Sequence, residues 1–276
     1  MTLTDLTYYR PESLAEYPVA IQMAEGEPYC LYGGGSEILS MARVGSIRPR
    51  ALIDIKSIPE CRVLQQKDGQ IVLGGAATLS EIAESGIFPL LGTTVSRIAD
   101  HTNQCRITLA GNVCGTIQYR EAVLPLLLSD ATVRTFLRGQ TSDRPLAEAF
   151  DGRFRRAPEE LVVQFLVPAE AAGFPFVHVK RTRGDKIDYP MATIAAVRAP
   201  EGLRLAFSGV KQHPFRDAAL EKIASDAAAT PSARADAILA QLREGALEDQ
   251  AARREYRLFV LREALVQTLT RLEAEA

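Results

Sequence analysis

Residues 28–45, PYCLYGGGSEILSMARVG, put a short apolar and aromatic run, three consecutive glycines and an amphipathic stretch in direct succession. A glycine triplet between a strand and a helix permits a turn too tight for a Cβ. It also aims several main-chain N–H groups and the positive end of a helix dipole at one point. Ser36 is the expected N-cap, Ile38, Leu39 and Met41 form the apolar side, and Gly45 is the expected stop. Such a turn suits an anion. It is neither of the two common phosphate motifs, because Ile38 stands where the last glycine of G-x-G-x-x-G would fall and no G-K-[S/T] follows. Taken alone, the triplet serves equally as a structural turn.

The flanking pattern predicts an α+β chain. Helical spacing over 12–24 and a strand at 50–55 complete a small βαβ-like unit around the triplet. Strands at 61–66 and 70–75 flank Asp68 and Gly69, a hairpin signal. TLSEIAES, FPLLGTTVSRIAD and REAVLPLLLSD read as helices, ATVRTFLRG as a strand, and EELVVQFLVP at 159–168 as the strand closing this half. PAEAAG at 168–173 is the expected linker. Beyond it, FPFVHVKR, ATIAAVRA and LRLAFSGV predict a three-stranded antiparallel meander, followed by helices. The last helix carries Tyr256, Phe259, Val260, Leu265 and Leu269 on the side expected to cover the sheet. The expected division is a front domain over 1–168, with subdomains of about 1–55 and 56–168, and a back domain over 174–276; 276 residues suit about two domains.

A second glycine-bearing loop, TLAGNVCGT at 108–116, repeats the chemistry of the first: Gly111 and Gly115 allow close approach, and Thr108, Asn112 and Thr116 offer hydrogen bonds. Two such loops suit a diphosphate. Other classes fall away. With 32 Lys and Arg against 34 Asp and Glu and no basic block, nucleic acid is not an expected partner. The longest apolar run, 122–128, is too short to span a bilayer and the first residues do not read as a secretion signal, so the expected location is the cytoplasm. Cys30, Cys61, Cys105 and Cys114 form no CxxC pair, and His101, His178 and His213 lack ligand spacing, so neither a metal site nor a catalytic nucleophile set is readable.

The order YGGGSEIL, RALIDIKSI, LGGAATLSEI, TLAGNVCGT, KRTRGDKIDYPMATIAAV resembles the flavin-binding medium subunit of the molybdenum hydroxylases, the group of xanthine dehydrogenase and carbon monoxide dehydrogenase. The resemblance implies a PCMH-like FAD-binding domain of two α/β subdomains, followed by a three-stranded antiparallel sheet with helices. It implies that Leu31, Tyr32, Gly33, Gly34, Gly35, Ser36, Glu37 and Ile38 hold one side of the FAD diphosphate. Thr108, Leu109, Ala110, Gly111, Asn112, Cys114, Gly115 and Thr116 would hold the other. Ala76 and Thr78 would lie near the flavin, Glu121 would face the ribose or adenine end, and Val162 and Lys180 would lie beside the isoalloxazine. Relatives commonly read TIGGN where this chain has Leu109 and Ala110, and alanine supplies the same N–H only at negative φ. CGTIQYREAVLP is nearer to bacterial purine-hydroxylase subunits, that is, to the xanthine dehydrogenase type. The implied partners are a molybdopterin-binding large subunit and a [2Fe–2S] small subunit, with NAD+ or another soluble acceptor taking the electrons. The alternative is a non-redox module that binds a nucleotide or phosphate through the same loops.

Overall fold

The computed structural model describes residues 5–184, 187–249 and 252–274, arranged around three sheets. The first is parallel: β1 (Thr7–Tyr9), α1 (Tyr17–Met23), β2 (Tyr29–Tyr32), α2 (Ser36–Arg43) and β3 (Ala51–Asp54), with β3 between β1 and β2. Only 17–23 of the helical stretch expected at 12–24 is α-helix, with Pro18 in its first turn. All four residues of β3 are buried, as a strand between two neighbours requires.

The second sheet is antiparallel with order β4-β5-β8-β6-β7. Its hairpin, β4 (Leu64–Lys67) and β5 (Gln70–Gly74), turns through Asp68 and Gly69, both at positive φ, as their sequence signalled. The strand expected from Cys61 starts late because Pro59–Arg62 forms a 3-10 turn. Between β5 and β6 run α3 (Leu79–Ser85), α4 (Pro89–Val95), α5 (His101–Gln104), α6 (Leu109–Cys114) and α7 (Val123–Leu128). The segment read as a second glycine loop is therefore largely helix. Thr108 caps it with its side-chain oxygen, a signal that T-x-x-G conceals. Then follow β6 (Thr132–Leu137), β7 (Gln140–Pro145), α8 (Leu146–Ala149) and β8 (Leu161–Pro168). β7 was not expected; its exposed, polar run QTSDRP has no apolar alternation to betray an edge strand.

The register of β6 on β8 shifts between Arg134, opposite Gln164, and Thr135, opposite Val162, so Val163 is bulged. The bulge changes which face β8 presents. Leu161 and Val163 join the core under the first sheet, while Val162, Phe165 and Val167 join the core that holds α3, α4, α6 and α7.

The expected linker is a 3-10 helix, Ala169–Gly173. It leads into β9 (Phe176–Thr182), β10 (Pro190–Ala199) and β11 (Gly202–Ser208), the meander foreseen in the sequence, with a two-residue strand β12 (Phe215–Arg216) added at its edge. Along β10, Ala192, Ile194 and Ala196 face α9 (Ala218–Ala224), α10 (Pro231–Leu242) and α11 (Arg254–Ala274), while Ala195 and Val197 enter the core of the front half. A sheet buried on both faces thus joins front and back. The covering face of α11 keeps the expected Leu265 and Leu269 but is otherwise rotated from the expected one. Leu258, Leu261, Leu265, Leu269 and Leu272 are buried, whereas Tyr256 and Phe259 are exposed at 54% and 59%. The fully buried Arg257 lies on the covering side too, donating to the carbonyls of Met191 and Gly209 at 2.7 and 2.6 Å. Among the described residues no helix is long and apolar enough to cross a membrane.

Candidate functional site

At the end of β2 the chain turns through Gly33–Gly35 into α2. The N-cap is Gly35, at φ 71°, and not Ser36, which is the first helical residue; no side chain caps this end. A Cβ on Gly35 would strike the Tyr32 ring, and one on Gly34 would overlap the Arg106 carbonyl oxygen. The N–H groups of Gly34, Gly35, Ser36 and Glu37 meet no acceptor among the described residues. Those donors and the helix dipole converge where a diphosphate could be held.

The second segment lies against the first. A Cβ on Gly33 would stand 2.6 Å from Thr108 Oγ1. Thr108 pairs with Thr78 in an isolated bridge, with Leu79 N–H donating to Ile107 O and Leu109 N–H to Ala77 O, both at 2.9 Å. Thr78 caps α3 in a capping box with Glu81. Ala76, fully buried, donates its N–H to Cys61 O at 2.7 Å. Ala110 sits at negative φ within α6 and supplies its N–H to Gly75 O at 2.9 Å. Gly111 N–H goes to Thr108 Oγ1 at 3.2 Å and Asn112 N–H to Thr108 O at 2.9 Å, while Asn112 Oδ1 accepts from Ala122 N–H at 3.2 Å. The main-chain N–H groups of 109–112 are thus engaged within the protein. Val162, buried on β8, backs the same place, its carbonyl close under Gly75. Burial pushes the Cys114 thiol up to about 11.

A carboxylate ties the two segments together. Glu37 accepts from Thr116 N–H at 2.8 Å and from the Thr116 hydroxyl, and its carboxylate packs over Gly115, where a Cβ would stand 2.5 Å from Oε2. Glu121 and Lys180, assigned above to opposite ends of one dinucleotide, instead meet each other. Lys180 Nζ lies 2.7 Å from Glu121 Oε2 and 2.7 Å from Arg97 O, and Thr193 Oγ1 donates to Glu121 Oε1 at 2.6 Å. With both side chains all but inaccessible, each charge is compensated inside the fold. His178, on the same face of β9, has no partner at either ring nitrogen among the described residues, and burial drives its imidazole down to about 3, so it is neutral.

One neighbour of the glycine turn was missed by the sequence reading. Lys56, two residues past β3, sends Nζ to Gly33 O at 2.9 Å and stands 4.3 Å from the Tyr32 ring centroid. Its only sequence signal was its place just after the strand beside β2.

Residues 4–170 match the family described as the FAD binding domain in molybdopterin dehydrogenase. The chain belongs to that family. Among individual proteins, it is 25% identical over 234 residues to the glyceraldehyde dehydrogenase medium chain of Sulfolobus acidocaldarius, covering 79% of this chain and 80% of that one. Its fold is that of a chain of carbon monoxide dehydrogenase from Hydrogenophaga pseudoflava, at TM-score 0.88 and 23% identity over 99% of each chain. It is also that of a chain of quinoline 2-oxidoreductase from Pseudomonas putida 86, at TM-score 0.86 and 18% identity over 100% of this chain and 99% of that one. The resemblance drawn from the motifs is thereby borne out at the level of family, fold and cofactor, which is FAD. As an FAD-binding domain, the chain offers a cradle that fits: four free N–H groups at an uncapped helix start, in a turn that a Cβ would fill.

Proposed function

We propose that Gly33–Ile38 hold the FAD diphosphate, with Thr78 and Thr108–Thr116 forming the wall against which that turn is built and Ala76 and Val162 backing it. The observation that carries this reading is the row of unengaged N–H groups from Gly34 to Glu37 at the start of α2. Bound there, FAD would accept electrons singly and release them in pairs. The chain's own part is to position and seclude the cofactor. The glycines admit the phosphates to the main chain, Glu37 and Thr116 keep the two segments together, and the Glu121–Lys180 pair fastens the back sheet to the front half.

We further propose that the chain works in a complex of xanthine dehydrogenase type, beside a molybdopterin-binding large subunit and a [2Fe–2S] small subunit, and passes electrons to NAD+ or another soluble acceptor. The dispersal of its four free cysteines, Cys30, Cys61, Cys105 and Cys114, supports cluster ligands on another chain. The test is purification of the chain alone and with its co-purifying partners. A yellow protein whose flavin spectrum is bleached by dithionite, and which loses its colour with Gly34→Val, supports the reading. A colourless protein that refuses added FAD returns the chain to the non-redox alternative. Xanthine-dependent reduction of NAD+ by the complex, set against an aldehyde or carbon monoxide as donor, decides the substrate and acceptor.

A further inference from the structure

Lys56 has a bonding pattern that the cofactor reading leaves unused. An ammonium has three N–H groups. Here Nζ lies 2.8 Å from Asp54 Oδ1, 2.7 Å from Asp54 Oδ2 and 2.9 Å from Gly33 O. Asp54 is 3% exposed and is held from two further sides, by the Lys56 N–H at 2.9 Å and by the Tyr8 hydroxyl. The Tyr32 ring lies beneath the ammonium. Every proton on Nζ therefore has an acceptor within the protein, and the charge is balanced by Asp54.

We propose that Lys56 is a positioning residue that orients the glycine turn toward the diphosphate by holding the Gly33 carbonyl, without touching phosphate itself. The inference rests on the FAD site at Gly33–Ile38. The peptide from Gly33 to Gly34 is trans, so its C=O and N–H point in opposite directions. Drawing the carbonyl to Lys56 turns the Gly34 N–H away, into the row of free donors. Packing against Arg106 and Thr108 confines the turn, but its glycines carry no side chain and sample the widest range of backbone angles, so the bond to the Gly33 carbonyl adds an orientation that packing leaves open. A pre-set turn binds more tightly because less freedom is lost when the ligand arrives. An exposed ion pair alone would contribute little. Lys56 differs because its carboxylate partner is buried and its third bond reaches the main chain of the site.

The test uses the full chain with FAD as probe. Lys56→Met should weaken FAD binding about tenfold to a hundredfold, the size expected for one lost charge-assisted hydrogen bond, and Lys56→Arg should restore most of it. The slope of log Kd against log salt should match the wild type, because no phosphate contact is lost. In the cofactor-free protein, 15N relaxation should show lower order parameters at Gly33, Gly34 and Gly35 in Lys56→Met. If Lys56→Met does not fold, Lys56→Gln carries the same comparison. Wild-type affinity in the variant overturns the inference and leaves the FAD site standing. A shallower salt slope, or weakened binding with unchanged relaxation, overturns it in favour of direct phosphate contact. Failure of the wild-type chain to bind FAD overturns the site and this inference with it.

Discussion

The two glycine-bearing segments look alike in sequence and behave oppositely in the structure. Each begins a helix and each packs against the other, but α2 starts from Gly35, which has no side chain to cap it, while α6 starts from Thr108, whose hydroxyl takes the Gly111 N–H. The N–H groups from Gly34 to Glu37 are left open, whereas those from Leu109 to Asn112 are closed onto Ala77, Gly75 and Thr108. The difference teaches that a glycine loop is a ligand site only where the fold leaves its donors unmatched. The first segment leaves main-chain donors open; the second, continued through Glu121 to Lys180, closes its polar groups within the fold.

The most severe way to break that contrast is to unbalance the closed side. Glu121→Gln or Lys180→Met leaves one partner of a fully buried pair uncompensated and should cost roughly 3–5 kcal/mol of stability, measured by urea unfolding. Replacing both with apolar residues should cost less than either single change. On the open side, Gly34→Val should weaken FAD binding by at least about a hundredfold, equivalent to roughly 2.7 kcal/mol, because its side chain would collide with the Arg106 carbonyl. Gly111→Ala should change it only a few-fold. Equal losses at the two glycines would erase the distinction.

A pH titration probes the closed side more gently. His178 titrates near 3 in the fold against 6.5 when unfolded, so below pH 6.5 the unfolded chain binds the extra proton and stability falls as pH falls. The loss should be about 1 kcal/mol between pH 6.5 and 5.5, for at most one proton, and His178→Phe should abolish it; a wild-type profile in that variant would refute the assignment. The smallest effect, about 1 kcal/mol or less, is expected from Thr108→Ala, which removes the cap of α6. FAD affinity should barely change, since the Gly111 N–H is freed outside the open row.

Much of this was legible in the residues. Alternation and turn chemistry marked the hairpin at Asp68-Gly69 and the meander β9–β11, and motif order marked the family. What failed did so for particular reasons. The polar edge strand β7 has no apolar period to read. The face of α11 was misjudged at its start because Tyr256 and Phe259 count as apolar by composition, yet both are exposed while Arg257 between them is buried and hydrogen-bonded. Glu121 and Lys180 could be recognised singly, but no spacing says that two residues 59 positions apart meet.

By itself the sequence determined most of the strands and helices and where main chain can approach main chain, because these follow from local periodicity and from the absence of a Cβ, while the order of its motifs marked the family and with it the cofactor. Only the tertiary structure decided which donors stay free. Whether an N–H, a carboxylate or an ammonium is open to a ligand depends on the partner that the rest of the fold brings to it, as Thr108, Glu37, Lys56 and Glu121 each show.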